Sequence, residues 1–280
     1  MDYIARFGLE FNPFLKNSRE IIIENDEYQE IMFRLGYLVE TKGFGLLTGS
    51  PGLGKTTAIR NFAASLNPAK YKVIYSSLST LTVMEFYRSL VASFGAEPAF
   101  RKADNFRIIQ ENINRLALEK RITPVIILDE ANHISNAILS DLKLLFNFEM
   151  DSRDRAVILL AGLPQLNNTM RLISNEPLRQ RLVMNYNLEG LTKEEGRFYV
   201  SEKLKGAGCT RDIFDPNAME AVLNTANGTP RIINTLCNSA LLIANNNGHN
   251  TITAEDTMTA INDCQLTVPK SSVLRIVPFS

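Results

Sequence analysis

The chain has 280 residues, of which 45% are hydrophobic and 21% are charged, and its 30 lysines and arginines balance 30 acidic residues. The length predicts a large α/β domain with a smaller second domain, and the balanced charge excludes a global affinity for polyanions. Three widely separated cysteines argue against a disulfide or metal framework, and the N-terminus lacks the apolar core of a signal peptide. We therefore expect a cytoplasmic protein without a membrane segment.

Apolar runs typical of strands alternate with helical patterns up to residue 188. Apolar residues recur at helical spacing over residues 27–39, and a capping box begins a helix at Thr82. Further helices are predicted over residues 105–120 and 139–146. The predicted strands are 44–47, 72–76, 125–128, 156–161 and 183–188. Short continuous apolar runs are typical of parallel strands buried on both faces, so the pattern predicts an α/β fold with a helix-covered parallel sheet.

Beyond Leu188 the pattern contains helices only. A capping box begins one helix at Thr192, and Asp215 followed by a proline begins the next. Two more helices are predicted to start near residues 230 and 253. This part of the sequence predicts a separate, all-helical domain.

A glycine-rich motif, Gly-Ser-Pro-Gly-Leu-Gly-Lys-Thr, occupies residues 49–56 between a predicted strand and a predicted helix. Glycines let successive backbone N–H groups surround a phosphate, and the N-terminus of the following helix favours an anion. The Lys55 ammonium can reach the β- and γ-phosphates, and the Thr56 hydroxyl can bind Mg²⁺. The motif predicts a nucleoside triphosphate site made of Gly49, Ser50, Pro51, Gly52, Leu53, Gly54, Lys55, Thr56 and Thr57.

A second motif ends the apolar run 125–128 with Asp129 and Glu130. A carboxylate at the carboxyl end of a strand beside a phosphate loop can hold Mg²⁺, so we expect Asp129 to bind the metal together with Thr56. Glu130 is expected to orient and polarise the attacking water. The two carboxylates favour hydrolysis over transfer of the phosphoryl group to a small acceptor. A small-molecule P-loop kinase, which the phosphate loop alone would also allow, is therefore disfavoured.

Together these motifs resemble the AAA+ ATPases and, among them, the ExeA-like group. The resemblance extends from about residue 3 to residue 265 and rests on residues 7–9 with 13–14, 42–44, 129–131, 161–164, 178–182 and 228–231. It implies a parallel-sheet P-loop AAA+ ATPase core with a C-terminal all-helical lid domain, ATP and Mg²⁺ as ligands, and a homo-oligomer in the form of a ring or helical filament. The expected domains are 1–190 for nucleotide binding, 191–268 for the lid and 269–280 for an extended tail.

The resemblance also implies roles for single residues. Arg231 matches the sensor 2 arginine, which contacts the γ-phosphate from the lid. Arg179 and Arg181 occupy the segment that often supplies an arginine finger to the neighbouring subunit, with Arg181 slightly favoured and a solvated surface role as the alternative. The segment Asn12, Pro13 and Phe14 lies where members of the group surround the adenine, although Phe14 also suits a hydrophobic core.

One position departs from the pattern of the group. Leu163 stands where the group commonly has a polar residue near the sensor 1 position. Gln165 and Asn167 are the nearby polar residues that remain as substitutes, so the sequence leaves the sensor 1 residue open.

The ExeA-like group contains secretion-pathway assembly ATPases and transposition helper ATPases. The secretion members continue into a membrane span and a peptidoglycan-binding region, whereas this chain ends at residue 280, so we expect the transposition type. That type implies assembly on duplex DNA, without base-sequence preference, and recruitment or stimulation of a transposase. A soluble secretion-pathway assembly ATPase is the alternative.

Candidate contacts to DNA are the basic residues expected in and after a polar loop that follows the second strand, namely Arg101, Lys102 and Arg107. Lys70 and Lys72 form a second candidate set. Phosphate contacts by such residues make binding dependent on salt and indifferent to base sequence. Ordinary solvated surface charge is the alternative for each of them. The tail from residue 269 is a candidate contact for the transposase.

Overall fold

The computed structural model describes residues 3–77, 82–148 and 153–264, and contacts divide the chain into two compact units. The first unit, here called the sheet domain, is Glu24–Glu189. The second, here called the helical domain, combines the described residues of the N-terminal segment up to Ile23 with those from Gly190 onward. The nucleotide-binding domain was expected to begin at residue 1, but the sheet domain begins at Glu24. The reason is that apolar side chains of the N-terminal segment lie in the core of the helical domain. The expected tail, 269–280, lies outside the described residues.

In the described residues, the sheet domain contains one parallel sheet with the strand order β2-β3-β4-β1-β5. Its strands are β1 (Gly43–Gly49), β2 (Tyr71–Ser77), β3 (Thr123–Asp129), β4 (Val157–Gly162) and β5 (Leu182–Leu188). The predicted parallel sheet and its strand positions are confirmed. Because β4 lies between β1 and β3, the segments that leave the carboxyl ends of β1 and β3 flank the end of β4, where parallel α/β sheets commonly bind ligands.

Helices cover both faces of this sheet, and the three central strands β1, β3 and β4 bury their side chains on both. The helices of the sheet domain are α2 (Asp26–Thr41), α3 (Lys55–Ser65), α4 (Val83–Ser93), α5 (Lys102–Asn114), α6 (Asn136–Leu145), α7 (Gln165–Arg171) and α8 (Glu176–Arg179). Ile126 and Leu128 of β3 pack into one apolar cluster with α4, α5 and α6. Val125 and Ile127 pack into the other with α2 and α3. Two-sided burial explains why the strand sequences are continuous apolar runs.

The helical domain has its own apolar core. It contains α1 (Tyr3–Arg6), α9 (Lys193–Gly206), α10 (Pro216–Ala226), α11 (Pro230–Asn246) and α12 (Ala254–Asp263). The predicted capping box is present at Thr192, and Asp215 caps α10 by accepting from the Ala218 N–H at 2.6 Å. Leu236 and Cys237 of α11 are fully buried in the core of this domain.

Candidate functional site

The glycine-rich loop joins β1 to α3. The backbone of Gly52 and Gly54 is left-handed, with φ of 84° and 100°, a conformation in which any side chain is strained. Gly54 is also the N-cap of α3 and supplies no side-chain hydrogen bond to its first turn. The N–H groups of that turn therefore point out of the helix without a side-chain cap, which suits a bound anion.

The Lys55 side chain folds back over this loop. Its Nζ donates to the carbonyl oxygen of Gly49 at 2.7 Å and to that of Ser50 at 2.9 Å. Lys55 is the first residue of α3, so its ammonium lies directly over the concave backbone of the loop. A cation held at this position complements a polyphosphate.

Three segments meet around the buried carboxylate of Asp129. Its Oδ2 accepts from Thr56 Oγ1 at 3.1 Å and from Tyr75 Oη at 3.0 Å, and its Oδ1 accepts from the Glu130 N–H at 2.9 Å. The carboxylate and the Thr56 hydroxyl thus lie side by side at the mouth of the loop. Oxygen donors of this kind are the ligands that Mg²⁺ prefers.

Tyr75 is a part of this cluster that the sequence analysis missed. Burial, followed by the charge and hydrogen bond of Asp129 and the charge of Glu130, raises the pKa of Tyr75 to about 12. The phenol therefore stays protonated at neutral pH and remains a donor. The available signal was a polar-tipped residue near the carboxyl end of β2, the strand that pairs with β3.

Glu130 differs from Asp129 in exposure. Asp129 is 4% exposed, whereas Glu130 is exposed and its backbone is left-handed, with φ of 55°. The turn after β3 directs the chain into the short helical segment Ala131–His133. The two adjacent carboxylates are therefore presented to different surroundings, one fixed in the protein and one in solvent.

Near the expected sensor 1 position, polar side chains form a chain of hydrogen bonds from α7 through β1 to β5. Asn167 Nδ2 donates to Thr48 Oγ1 at 2.7 Å, and Thr48 Oγ1 donates to Asn187 Oδ1 at 2.9 Å. Thr48 is fully buried directly before the glycine-rich loop. Asn167 therefore supports the base of the loop, while Gln165 is exposed on the first turn of α7.

Leu163 takes part in a second contact that the sequence did not reveal. Its N–H donates to Asn132 Oδ1 at 3.0 Å, which joins the end of β4 to the turn after Glu130. A Cβ added at Gly162 would lie 2.8 Å from the same oxygen, so glycine is required for this close approach. The apolar residue at position 163 acts here through its backbone.

Arg181 is held inside the sheet domain. Its guanidinium pairs with Asp154 at 3.0 Å and lies 5.1 Å from the centre of the Phe44 ring. It also donates to two carbonyl oxygens, those of Lys143 at 3.2 Å and Phe146 at 3.1 Å. The side chain is only 15% exposed. These contacts are those of an arginine that ties α6 to the start of β5.

Arg179 lies two residues earlier, at the end of α8, and is more accessible. Its side chain is 43% exposed and pairs with Glu176 at 3.5 Å on the same short helix. Of the two arginines, Arg179 is the one whose described contacts leave it at the surface.

The expected adenine-contacting segment lies within the helical domain. Asn12 is buried and donates to Asn238 Oδ1 at 2.8 Å and to the Tyr3 hydroxyl at 3.2 Å. Phe14 is 4% exposed and belongs to the core, in agreement with the second role that its sequence allowed. The carbonyl oxygen of Pro13 accepts from Lys203 Nζ at 2.9 Å. The segment is thus fastened to the helices of its own domain.

Arg231 lies in the same domain, at the second position of α11, and is exposed. Close backbone packing precedes it. A Cβ added at Gly228, whose φ is +74°, would lie 2.5 Å from the Leu191 carbonyl oxygen, and the Leu191 N–H donates to the Gly228 carbonyl oxygen at 2.9 Å. Gly228 therefore fixes the turn from which the Arg231 helix begins.

The candidate DNA contacts lie at the end of a loop and on the helix that follows it. Helix α5 begins at Lys102, earlier than the expected residue 105, so Arg101 is the N-cap residue that ends the loop, and Lys102 and Arg107 lie on the helix. Lys102 Nζ pairs with Asp141 at 2.6 Å, and Arg107 pairs with Asp104 at 3.3 Å. Two of these three cations are therefore partly neutralised by carboxylates of the same domain.

The second candidate set lies at the start of β2. Lys70 and Lys72 are both exposed, and Lys72 Nζ lies 3.5 Å from the Phe94 carbonyl oxygen. With Arg101, which is also exposed, they are separate surface charges in the described structure and not a continuous basic stripe along one helix.

Comparisons with known proteins agree with this geometry. A family model described as an AAA domain matches residues 39–170, which include the glycine-rich loop, Asp129 and Glu130. The structure of Cdc6p from Pyrobaculum aerophilum superposes with a TM-score of 0.68, at 16% identity over 90% of this chain and 70% of that one. The chain has the AAA+ P-loop ATPase fold. The ORC1 protein of Aeropyrum pernix in complex with DNA gives a TM-score of 0.66, at 16% identity over 90% of this chain and 68% of that one.

One curated relative is similar in sequence as well. General secretion pathway protein A of Aeromonas hydrophila is 30% identical over 249 residues, which are 86% of this chain and 45% of the relative. The chain thus spans less than half the length of that relative. Together with the AAA domain, this match supports an AAA+ ATPase of the ExeA-like type. Within the described ranges, no helix combines the length and apolar character that crossing a bilayer requires.

Proposed function

We propose that the chain is an Mg²⁺-dependent ATPase that hydrolyses ATP to ADP and phosphate. The observation that carries the proposal is the meeting of Lys55, Thr56 and Asp129 at the mouth of a loop with left-handed glycines. The first turn of α3 and the Lys55 ammonium suit the phosphates, which are bound by residues 49–57. The AAA domain at residues 39–170 supports nucleotide binding at this loop.

The residues fit a magnesium ion. The Thr56 hydroxyl and the Asp129 carboxylate, 3.1 Å apart, would hold it. When bound, the ion neutralises charge on the β- and γ-phosphates. Lys55 orients the same phosphates once its ammonium exchanges the carbonyl oxygens of Gly49 and Ser50 for phosphate oxygens.

The exposure of Glu130 supports its proposed role as the group that activates water. Its carboxylate is exposed one residue beyond the buried Asp129. In our proposal, it orients a water molecule toward the γ-phosphorus and accepts the proton that this water loses as it attacks. The bond from the γ-phosphorus to the β,γ-bridging oxygen breaks, and ADP and phosphate leave. Water as acceptor is what distinguishes this role from that of a small-molecule kinase.

Assembly of identical subunits would complete the site with an arginine. We propose Arg179 as the finger and not Arg181, because the guanidinium of Arg181 is engaged by Asp154 and two carbonyl oxygens within its own subunit. Arg179 is 43% exposed and tied only to Glu176 among its described ion pairs. A finger stabilises charge on the transferred phosphoryl group and makes hydrolysis depend on assembly. Arg231 is proposed, on the family resemblance, to contact the γ-phosphate, whereas the burial of Asn12 and Phe14 within the helical domain argues against a contact of this segment with adenine.

Two tasks for the ATPase remain as proposals. One is that of a transposition helper that assembles on duplex DNA, and the exposed Lys70, Lys72 and Arg101 support phosphate contacts. The pairing of Lys102 and Arg107 with carboxylates reduces that support. The similarity to General secretion pathway protein A supports the second candidate, assembly in a secretion pathway. The likeness to DNA-bound ORC1 concerns the fold alone.

The test is the rate of ATP hydrolysis by the purified chain with and without duplex DNA, at two salt concentrations. We expect Mg²⁺-dependent hydrolysis that Lys55→Ala abolishes and that Lys42→Ala, a control outside the loop, leaves intact. Stimulation by duplex DNA that weakens as salt rises supports the transposition task. Equal rates with and without DNA, together with no ATP-dependent binding to DNA, discard that task and leave the secretion candidate.

A further inference from the structure

Tyr75 lies outside both nucleotide-binding motifs, yet its hydroxyl contacts the carboxylate assigned to the metal. It lies on β2, opposite Ile127 of β3 and therefore two positions before the level of Asp129. Side chains in strands lean along the strand direction, which brings the phenol to the carboxyl edge of the sheet. Its Oη donates to Asp129 Oδ2 at 3.0 Å.

The hydrogen bonds around Asp129 show what this contact does. A carboxylate has roughly four acceptor positions, two on each oxygen. Thr56 at 3.1 Å and Tyr75 at 3.0 Å occupy both positions of Oδ2, and the Glu130 N–H at 2.9 Å occupies one position of Oδ1. Among the hydrogen bonds of the described residues, the remaining acceptor position of Asp129 is therefore on Oδ1.

We propose that Tyr75 is a positioning residue for the magnesium site. By filling the second acceptor position of Oδ2, its hydroxyl prevents the Asp129 carboxylate from rotating about its bond to Cβ. The Thr56 proton is then held on Oδ2, which leaves the oxygen lone pairs of Thr56 and the open position of Oδ1 for the ion or for a water bound to it. This inference rests on the proposed ATPase function and adds to it a residue that the two motifs do not contain.

A purely structural role for the hydroxyl predicts something different. Tyr75 is 48% exposed, so removing its hydroxyl does not leave a cavity in the core. A packing role would change stability without changing the response to magnesium. A positioning role changes the response to magnesium because partners that orient metal ligands tune the affinity of the site.

The experiment measures binding of a fluorescent ATP analogue to the full chain while Mg²⁺ is titrated, and again with excess chelator. In Tyr75→Phe we expect the Mg²⁺ concentration for half-maximal effect to rise about tenfold. Binding with chelator is expected to stay as in the unaltered protein. Tyr71→Phe is the matched control, because it makes the same chemical change at the amino end of the same strand.

A double-mutant cycle shows whether Tyr75 acts through Asp129. In an Asp129→Asn background, Tyr75→Phe is expected to have no further effect on the magnesium titration. A Tyr75→Phe protein that titrates like the unaltered protein overturns the inference. An equal loss of binding with and without Mg²⁺, present also in the Asp129→Asn background, overturns it too, because Tyr75 then contacts the nucleotide itself. If the unaltered protein shows no Mg²⁺-dependent binding, the proposed function fails together with the inference.

Discussion

The sheet domain and the helical domain each bury an aspartate, and the partners of the two carboxylates differ. Asp256 of the helical domain is fully buried, and its contacts come from nearby in sequence: Asn247, His249 and the capping box of Thr253. Asp129 receives one local hydrogen bond, from Glu130, and two from segments distant in the chain, those of Thr56 and Tyr75. The first arrangement closes a helix end, whereas the second gathers groups from segments that are far apart in the chain.

The same contrast separates the two arginines near β5. Arg181 is surrounded by partners of its own domain, and Arg179 remains at the surface. Polar groups whose hydrogen bonds are satisfied internally stabilise the fold. Polar groups that keep an unfilled donor or acceptor position are available for a ligand or a neighbouring subunit. Substitutions in the two pairs, Asp129 with Asp256 and Arg179 with Arg181, test whether the enclosed residue stabilises the fold and the other residue serves the site.

The largest expected effect concerns Arg179. Arg179→Ala should lower ATP hydrolysis by the assembled protein about 10³-fold, since a missing finger leaves charge on the transferred phosphoryl group without its partner. Nucleotide binding should persist. Arg181→Ala should instead lower the free energy of unfolding by about 2 kcal/mol, because Asp154 loses its partner. Steady-state hydrolysis and thermal unfolding measure the two effects.

Mixing variants decides whether the finger acts between subunits. Arg179→Ala protein retains its own Glu130, and Glu130→Gln protein retains its own Arg179, so a mixture should recover hydrolysis at shared sites. A mixture that stays inactive contradicts action in trans. If Arg181→Ala, and not Arg179→Ala, loses hydrolysis while remaining folded, the contrast between the two arginines is wrong.

The next effect concerns the exposed carboxylate beside Asp129. Glu130→Gln should slow hydrolysis about 100-fold or more, because the amide orients water without accepting its proton. Binding of ATP and assembly should be unchanged, since Glu130 contacts neither the loop nor its neighbours through its side chain in the described hydrogen bonds. Single-turnover hydrolysis and equilibrium nucleotide binding provide the measurements. Full activity in this variant would remove Glu130 from its proposed role.

The smallest expected effect concerns Asp256. Burial by itself would raise the pKa of Asp256, but hydrogen bonds from the Thr253 backbone, His249, Asn247 and the Thr253 side chain outweigh it and lower the pKa below its ordinary value. Stability from the ionised carboxylate is therefore complete above the unfolded-state pKa of about 3.9 and is lost as the pH falls through the folded-state value. Asp256→Asn should cost about 2 kcal/mol at pH 7.

Unfolding by denaturant at pH 7 and at pH 3 measures this effect, with Asp129→Asn as the matched control. The difference between the unaltered protein and Asp256→Asn should shrink at the lower pH. Asp256→Asn should leave the magnesium dependence of nucleotide binding unchanged, and Asp129→Asn should alter it. The opposite pattern would show that the two buried carboxylates do not have separate roles.

Much of the fold and the centre of the site could be predicted from local sequence. The strand runs, the capping boxes of Thr82 and Thr192 and the glycine-rich loop all depend on backbone preferences of neighbouring residues, and the structure contains each of them. The boundary of the sheet domain was not predicted, because the burial of Phe7 and Phe14 among distant helices has no local signal. The start of α5 at Lys102 likewise lies before the expected residue 105.

Local sequence was therefore sufficient to predict the parallel sheet, the glycine-rich loop, and the presence of Asp129 and Glu130 at the end of a buried strand. Backbone conformation and two-sided burial are written into consecutive residues, so they can be read without knowing their neighbours in space. The partners of individual side chains became known from the folded chain alone. Tyr75 contacts Asp129, Asn132 contacts the Leu163 backbone, and Arg181 is enclosed by its domain whereas Arg179 lies at the surface of the same domain. Those contacts join residues from different strand ends and helices, and the pairing follows from strand order and register, which no single segment encodes.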